Sequence, residues 1–111
     1  MITDAGIAKV LALLDANLPN MKVGTGAAPT KTATDLTTPV LTIAADGVID
    51  GIALVQDAYL DETQAVGETL TEAGVFDGDG NLFAAAALSS FAKTASNSLT
   101  IISETEVVEV S

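Results

Sequence analysis

Apolar positions recur along this chain at two different periods. From Thr3 to Asp15 the period is helical: Ile7, Val10, Leu11 and Leu14 fall at i, i+3, i+4 and i+7 and form one stripe. Thr3 suits an N-cap, and Asp4 suits the positive end of the helix dipole. Asn17 tolerates the left-handed conformation that ends many helices, and Pro19 forbids continuation. Residues 1–18 are therefore expected to form one helix packed on a sheet. Lys9 is its only basic residue, which argues against a membrane-surface helix.

Beyond Pro19 the pattern is that of strands. Met21-Lys22-Val23 is a short one. Val40 to Ala45 is the next, with Val40 and Thr42 on one face and Leu41 and Ile43 on the other. Ala45 to Val48 reads as a turn. That leaves Val48-Ile49 as a brief apolar pair before the turn dipeptide Asp50-Gly51. Ile52 to Leu60 alternates as a strand, Asp61 to Gln64 is a polar turn, and Ala65 to Leu70 leads onward with Gly67 as a bulge.

Thr71 to Ala84 then reads as a β-hairpin. Val75-Phe76 and Leu82-Phe83 flank a turn of Asp77, Gly78, Asp79, Gly80 and Asn81, residues that accept positive φ at little cost. Two of the three phenylalanines lie here, so the hairpin is expected at the centre of the core. Leu82 to Leu88 lacks polar alternation, which predicts a strand buried on both faces. Ser89 to Asn97 reads as a connection, with Phe91 over one end of the core. Ser98 to Val110 reads as a long final strand. Its Glu104, Glu106 and Glu109 imply a bulge or a shift of buried face near Val107-Val108.

One helix and six or seven strands predict a mainly β fold. The expectation is a single-domain β-sandwich or small barrel with an N-terminal α-helix, strands over 21–111 and a loop at 24–39. The length of 111 residues suits one domain. Only 4% of residues are aromatic, so the core must be built from Val, Leu, Ile and Ala, and such a thin core gains from oligomerisation.

Charge narrows the function classes. Fifteen acids against four lysines, with no Arg or His, give a net charge of −11. Such a surface repels nucleic acid and anionic membranes. Without Cys there is no disulfide, thiolate nucleophile or usual zinc site; without His the commonest general base and transition-metal ligand are missing. No cofactor is expected. The N-terminus lacks the form of a secretory signal, and no apolar stretch reaches the ~18 residues that span a bilayer. The simplest expectation is a soluble chain folded in a cytoplasm.

The remaining motifs favour structure over chemistry. Gly24-Thr25-Gly26 invites comparison with phosphate-binding loops. However, Pro29 stands where a dinucleotide loop needs its third glycine, and no Gly-Lys-Ser/Thr follows. A structural loop allowing close backbone approach is the expected reading. Asp77, Asp79 and Asn81 alternate like the first ligands of a calcium loop, but Leu82 and Leu88 replace its required Gly and Glu. Glu68 with Glu72, or Asp57 with Asp61, are chance candidates for a glycosidase pair. Ser89-Ser90 with Lys93 loosely matches a Ser-x-x-Lys nucleophile motif. None of these assembles a convincing enzyme, and none is expected.

Three segments in succession carry a resemblance. They are Thr3 to Ile7, of the form Thr-x-Ala-Gly-Ile; Lys22 to Thr30 followed by Asp35-Leu36 and Thr38-Pro39; and Glu72 to Asp77, then Gly80 to Ala84 and Phe91 to Thr94. Together the segments resemble bacteriophage virion proteins related to tail-collar and tail-fibre N-terminal domains. The family often has an arginine after the second hairpin strand, where this chain has alanines, and its members usually continue into shafts or tips. The resemblance implies a β-sandwich with a structural role in the virion, made in the host cytoplasm.

A free small domain of this kind suits a capsid decoration protein, expected as a homotrimer at threefold positions on the major capsid protein. Its contact candidates are Ile2 and Thr3, with Gly24, Thr25, Gly26, Pro29, Thr30, Lys31, Leu36 and Pro39 in the loop. The alternative is a tail, baseplate or tail-fibre connector. A receptor- or carbohydrate-binding module is a third reading, disfavoured by the single Tyr59 and the lack of Trp.

Overall fold

The computed structural model describes residues 1–108. It is mainly β, with one N-terminal helix and two antiparallel sheets that face each other as an open sandwich rather than a closed barrel. The elements are α1 (Asp4–Asn17), β1 (Asn20–Gly24), β2 (Pro39–Ala44), β3 (Asp46–Asp50), β4 (Ala53–Leu60), β5 (Thr69–Phe76), β6 (Leu82–Ala92) and β7 (Leu99–Glu106). One sheet has the order β2-β1-β5-β6 and the other β3-β4-β7.

Alternation decides which residues meet between the sheets. Met21, Val23, Ile43 and Val75 face inward from the first sheet, and Ala58, Leu60 and Ile101 from the second. Leu18, just past the helix, joins them. The helix caps as its sequence suggests: the Thr3 hydroxyl accepts from the Gly6 N–H at 3.1 Å. It packs mainly on β3 and β4, and its buried stripe is narrow: Leu11 is buried, Ile7 and Leu14 are half-buried, and Val10 is exposed. Asn17 is the last helical residue, not a left-handed cap; its side-chain amide donates to the Leu13 carbonyl at 2.7 Å, one turn back.

Several strand expectations are corrected. The turn expected at Ala45 to Val48 is not there: strand begins at Asp46. Asp46 to Ile49 is the body of β3, paired in unbroken register with β4; the chain reverses at Gly51, where φ is +61°, as the Asp50-Gly51 turn dipeptide predicts. A single residue, Ala45, carries the chain from the first sheet to the second, and its N–H donates to the Pro19 carbonyl at 2.9 Å. Ser89 to Ala92 belong to β6 rather than to a connection. Strand β7 pairs with β4 without a shift and ends at Glu106, so no bulge lies near Val107-Val108. The expected continuation through Glu109 and Val110 lies outside the described residues.

The largest correction concerns the hairpin and β6. Val75 is in the inter-sheet core, but Phe76 points to the opposite face of β5 and is buried there, outside that core. Phe83 is 47% exposed. Nearly all of β6 is exposed, although the lack of polar alternation predicted burial on both faces. The physical reason is position: β6 is the edge of its sheet, with β5 on one side and, among the described residues, no strand on the other.

Candidate functional site

Two features stand out once the sheets are in place: a loop pinned to the outer face of the first sheet, and an uncovered flank of the sandwich.

The loop between β1 and β2 is held by one carboxylate. Residues Glu72, Gly74 and Phe76 alternate with the inward-facing Ala73 and Val75, so they point outward, under the loop. Glu72 is fully buried. Its Oε2 accepts from the N–H groups of Gly26 at 2.9 Å and Thr38 at 2.8 Å, and its Oε1 from that of Thr37 at 2.8 Å. A glycine-rich loop here cradles an anion, but the chain supplies the anion itself. The Thr71 hydroxyl donates to the Gly26 carbonyl and the Thr37 hydroxyl to the Ala27 carbonyl, both at 2.7 Å. Leu36 is buried against Gly74. The Lys22 ammonium lies 3.2 Å from the Asp35 carboxylate and 4.4 Å above the centre of the Phe76 ring.

This geometry sorts the contact candidates. Gly24 and Gly26 serve Glu72, Leu36 is a plug, and Thr3 is a helix cap, so these four do internal structural work. Thr25 is half-buried beside them, its N–H donating to the Thr38 carbonyl at 3.0 Å. Thr30, Lys31 and Pro39 are exposed and Pro29 is half-exposed. Pro29, Thr30 and Lys31 border a groove whose other wall is Leu82 and Phe83. Ile2 is exposed at the helix start, away from β6 in the element order.

The uncovered flank lies between β6 and β7, each an edge strand of its own sheet. A cleft of about 330 Å³ opens there onto Met21, Ala73, Val75 and Ile101 of the core. Register places Ala84 opposite Val75 and Ala86 opposite Ala73, so these two alanines face into the cleft and are too small to fill it. Ile102, on the outer face of β7, is 68% exposed.

Three of the residues weighed for chemistry are tied into local hydrogen bonds. Asp77 is consumed by its own turn: Oδ1 accepts from the N–H groups of Asp79 at 2.9 Å and Asn81 at 2.8 Å. Its carboxyl is held below the usual aspartate value, chiefly by the Asn81 backbone hydrogen bond. Among the described residues, no group of three or more acids, histidines or cysteines is placed to hold a metal ion. Asp61 accepts from both the N–H and the hydroxyl of Thr63, and the hydroxyl is the main cause of its lowered pKa. Lys93 is buried, and its ammonium donates to the Thr94 carbonyl at 2.9 Å, not to Ser89 or Ser90, which are exposed on β6.

Sequence reasoning missed Glu72 as the anchor and the open flank as a surface. A signal existed for each. Two glycines spaced i, i+2 mark a close approach, and an acid in an otherwise apolar strand needs donors. Four successive alanines are also too small to fill both faces of a buried strand. Comparison with protein-family models and with curated proteins finds no match for this chain.

Proposed function

We propose that this chain is a bacteriophage virion structural protein, a capsid decoration protein that attaches to the outer shell of the head and works as an assembly unit without catalysis. The observation that carries the assembly role is β6. Eleven consecutive residues, Leu82 to Ala92, form an exposed edge strand without one charged side chain, in a chain of net charge −11. Edge strands of free-standing proteins are guarded by charge, proline, bulges or a covering element, and of these β6 has the register shifts of its pairing with β5 and no charge or proline. A neutral, apolar edge is what a strand looks like when another protein completes it. The virion assignment draws on the resemblance carried by Lys22 to Thr30 and Glu72 to Ala84.

The pinned loop fits the same role. With Glu72 fixing Gly26, Thr37 and Thr38, the exposed Thr30, Lys31 and Pro39 are presented on a held backbone. Binding through such a surface costs little ordering entropy. Cryo-electron microscopy of purified particles tests the assignment. Density for the chain on the outer capsid surface is the expected result. Density confined to the tail would move it to a connector role, and no density anywhere on the particle would overturn the virion reading.

A further inference from the structure

We infer that the outer face of the second sheet, β3-β4-β7, docks another protein whose surface carries lysines or arginines around an apolar centre. The inference deepens the assembly role by naming a face and the chemistry of its partner; it does not depend on where in a virion the chain sits.

Register lays this face out residue by residue. Val48 of β3 stands opposite Val55 of β4, and Asp57 of β4 stands between Asp46 of β3 and Ile102 of β7. Leu54, Gln56, Ala58 and Leu60 of β4 are buried and point inward, so Val55, Asp57 and Tyr59 point outward together with their cross-strand partners. Val48, Val55, Ile102 and Tyr59 are then direct or diagonal neighbours in turn, an apolar path across all three strands. Val48, Tyr59 and Ile102 are 66%, 57% and 68% exposed.

An antiparallel sheet with one solvated face ordinarily turns polar residues outward. The chain covers the apolar part of its other outer face itself: Phe76 is buried and Leu36 of the loop packs on Gly74. Among the described residues no such cover lies on Val48, Tyr59 and Ile102, which stay exposed.

Charge selects the partner. Asp46 and Asp57 are both exposed and directly opposite each other, an arrangement in which like charges repel. Glu104 stands opposite Val55, on the other side of the apolar path. Strands β3, β4 and β7 contain no Lys or Arg, Lys22 is paired with Asp35 on the first sheet, and Lys93 is buried. A cation brought by the partner would sit against both aspartates and relieve their repulsion, while apolar contact beside it excludes water. A phosphate-bearing surface is repelled. A second copy is a poor match: its own β3-β4-β7 face holds no cation, and its exposed Lys9 and Lys31 lie singly on a helix and a loop of a chain with net charge −11.

Amide NMR of the full chain, titrated with the peptide acetyl-Lys-Leu-Lys-Trp-Lys-Leu-Lys-amide, tests this. Saturating shifts should centre on Val48, Val55, Asp57, Tyr59 and Ile102. A peptide of equal charge with Ser in place of Leu and Trp should bind at least about 10-fold more weakly, because the apolar path then has nothing to bury. The dissociation constant should rise several-fold as salt goes from about 0.05 to 0.5 M. Ile102→Ser, and separately Asp46→Asn with Asp57→Asn, should each weaken binding at least about 5-fold. Asp4→Asn with Glu62→Gln, exposed acids elsewhere, should change it by less than about 2-fold. The place of the shifts in the wild-type chain decides even where a variant fails to fold. Shifts spread over the acidic surface or centred on another face, equal binding of the two peptides, or no saturation by about 5 mM would each overturn the inference. Particles that carry the chain through a different face would overturn it and leave the virion reading standing. A chain absent from particles that still takes the peptide on this face would do the reverse.

Discussion

A β-carbon added at Gly24 would lie 2.5 Å from Oε2 of Glu72, 46 residues away from Gly26 in the same anchor. The glycines of the 24–39 loop are thus explained by an acid on a distant strand. No positive φ is recorded at either Gly24 or Gly26, so the demand is for space alone. Gly24→Ala should cost about 2–4 kcal/mol, because the Thr38 carbonyl also lies 2.5 Å from the added carbon and neither neighbour can move freely. Chemical denaturation measures it; a loss under about 0.5 kcal/mol would mean that the loop is not held as described.

Glu72→Gln tests the same anchor from the other side. The amide keeps one acceptor oxygen and turns an NH₂ group toward backbone donors that cannot accept. At least one of the three N–H groups is left facing another donor, and a loss of about 2–4 kcal/mol is expected. Hydrogen exchange should locate the damage at Gly26, Thr37 and Thr38. Unchanged protection at those amides would refute the anchoring role.

The two hairpin phenylalanines should separate cleanly. Phe76 is 1% exposed beneath the Lys22 ammonium, so Phe76→Ala should destabilise by about 3–5 kcal/mol. Phe83→Ala should cost less than about 1 kcal/mol in the free chain. Equal losses for the two would contradict the burial of one and the exposure of the other.

The two glycines of the hairpin turn differ in the same way. Gly80 has φ +85°, whereas Gly78 has no positive φ and open space around it. Gly80→Ala should cost about 1–2 kcal/mol and Gly78→Ala close to nothing. Thermal melts of the two variants are sufficient; a more damaging Gly78→Ala would reverse the turn assignment.

Local pattern made much of this fold legible. The Thr3 cap, the helix to Asn17, the alternation of Ile52 to Leu60 and the Asp77–Asn81 turn each depend on neighbours within a few residues, and each appears where the sequence places it. What failed depended on distant partners. Asp46-Gly47 looks like a turn until β4 is known to lie alongside, when Gly47 instead makes room for the Asp15 carboxylate of the helix. Leu82 to Leu88 reads as buried because apolar composition cannot tell a central strand from an exposed edge strand. Glu72 reads as one acid among fifteen until the loop closes over it.

Acid should unmask the turn carboxylates. Hydrogen bonds to the ionised form hold Asp77, mainly through the Asn81 N–H, and Asp61, mainly through the Thr63 hydroxyl, below the usual 3.8 in the folded chain. The unfolded chain therefore binds these protons first. Their stabilisation is fully present above 3.8 and is lost as pH falls through that value toward the lower folded ones. Bulk acidification also relieves the repulsion of a net charge of −11, which acts in the opposite sense. A difference measurement removes most of that background. Asp77→Asn keeps an acceptor oxygen for the Asp79 and Asn81 N–H groups but loses the charge, so its urea midpoint should fall below wild type at pH 7. The gap should narrow at pH 3, where the wild-type carboxylate is itself being protonated. A gap of the same size at both values would mean that the charge on Asp77 contributes nothing to the turn.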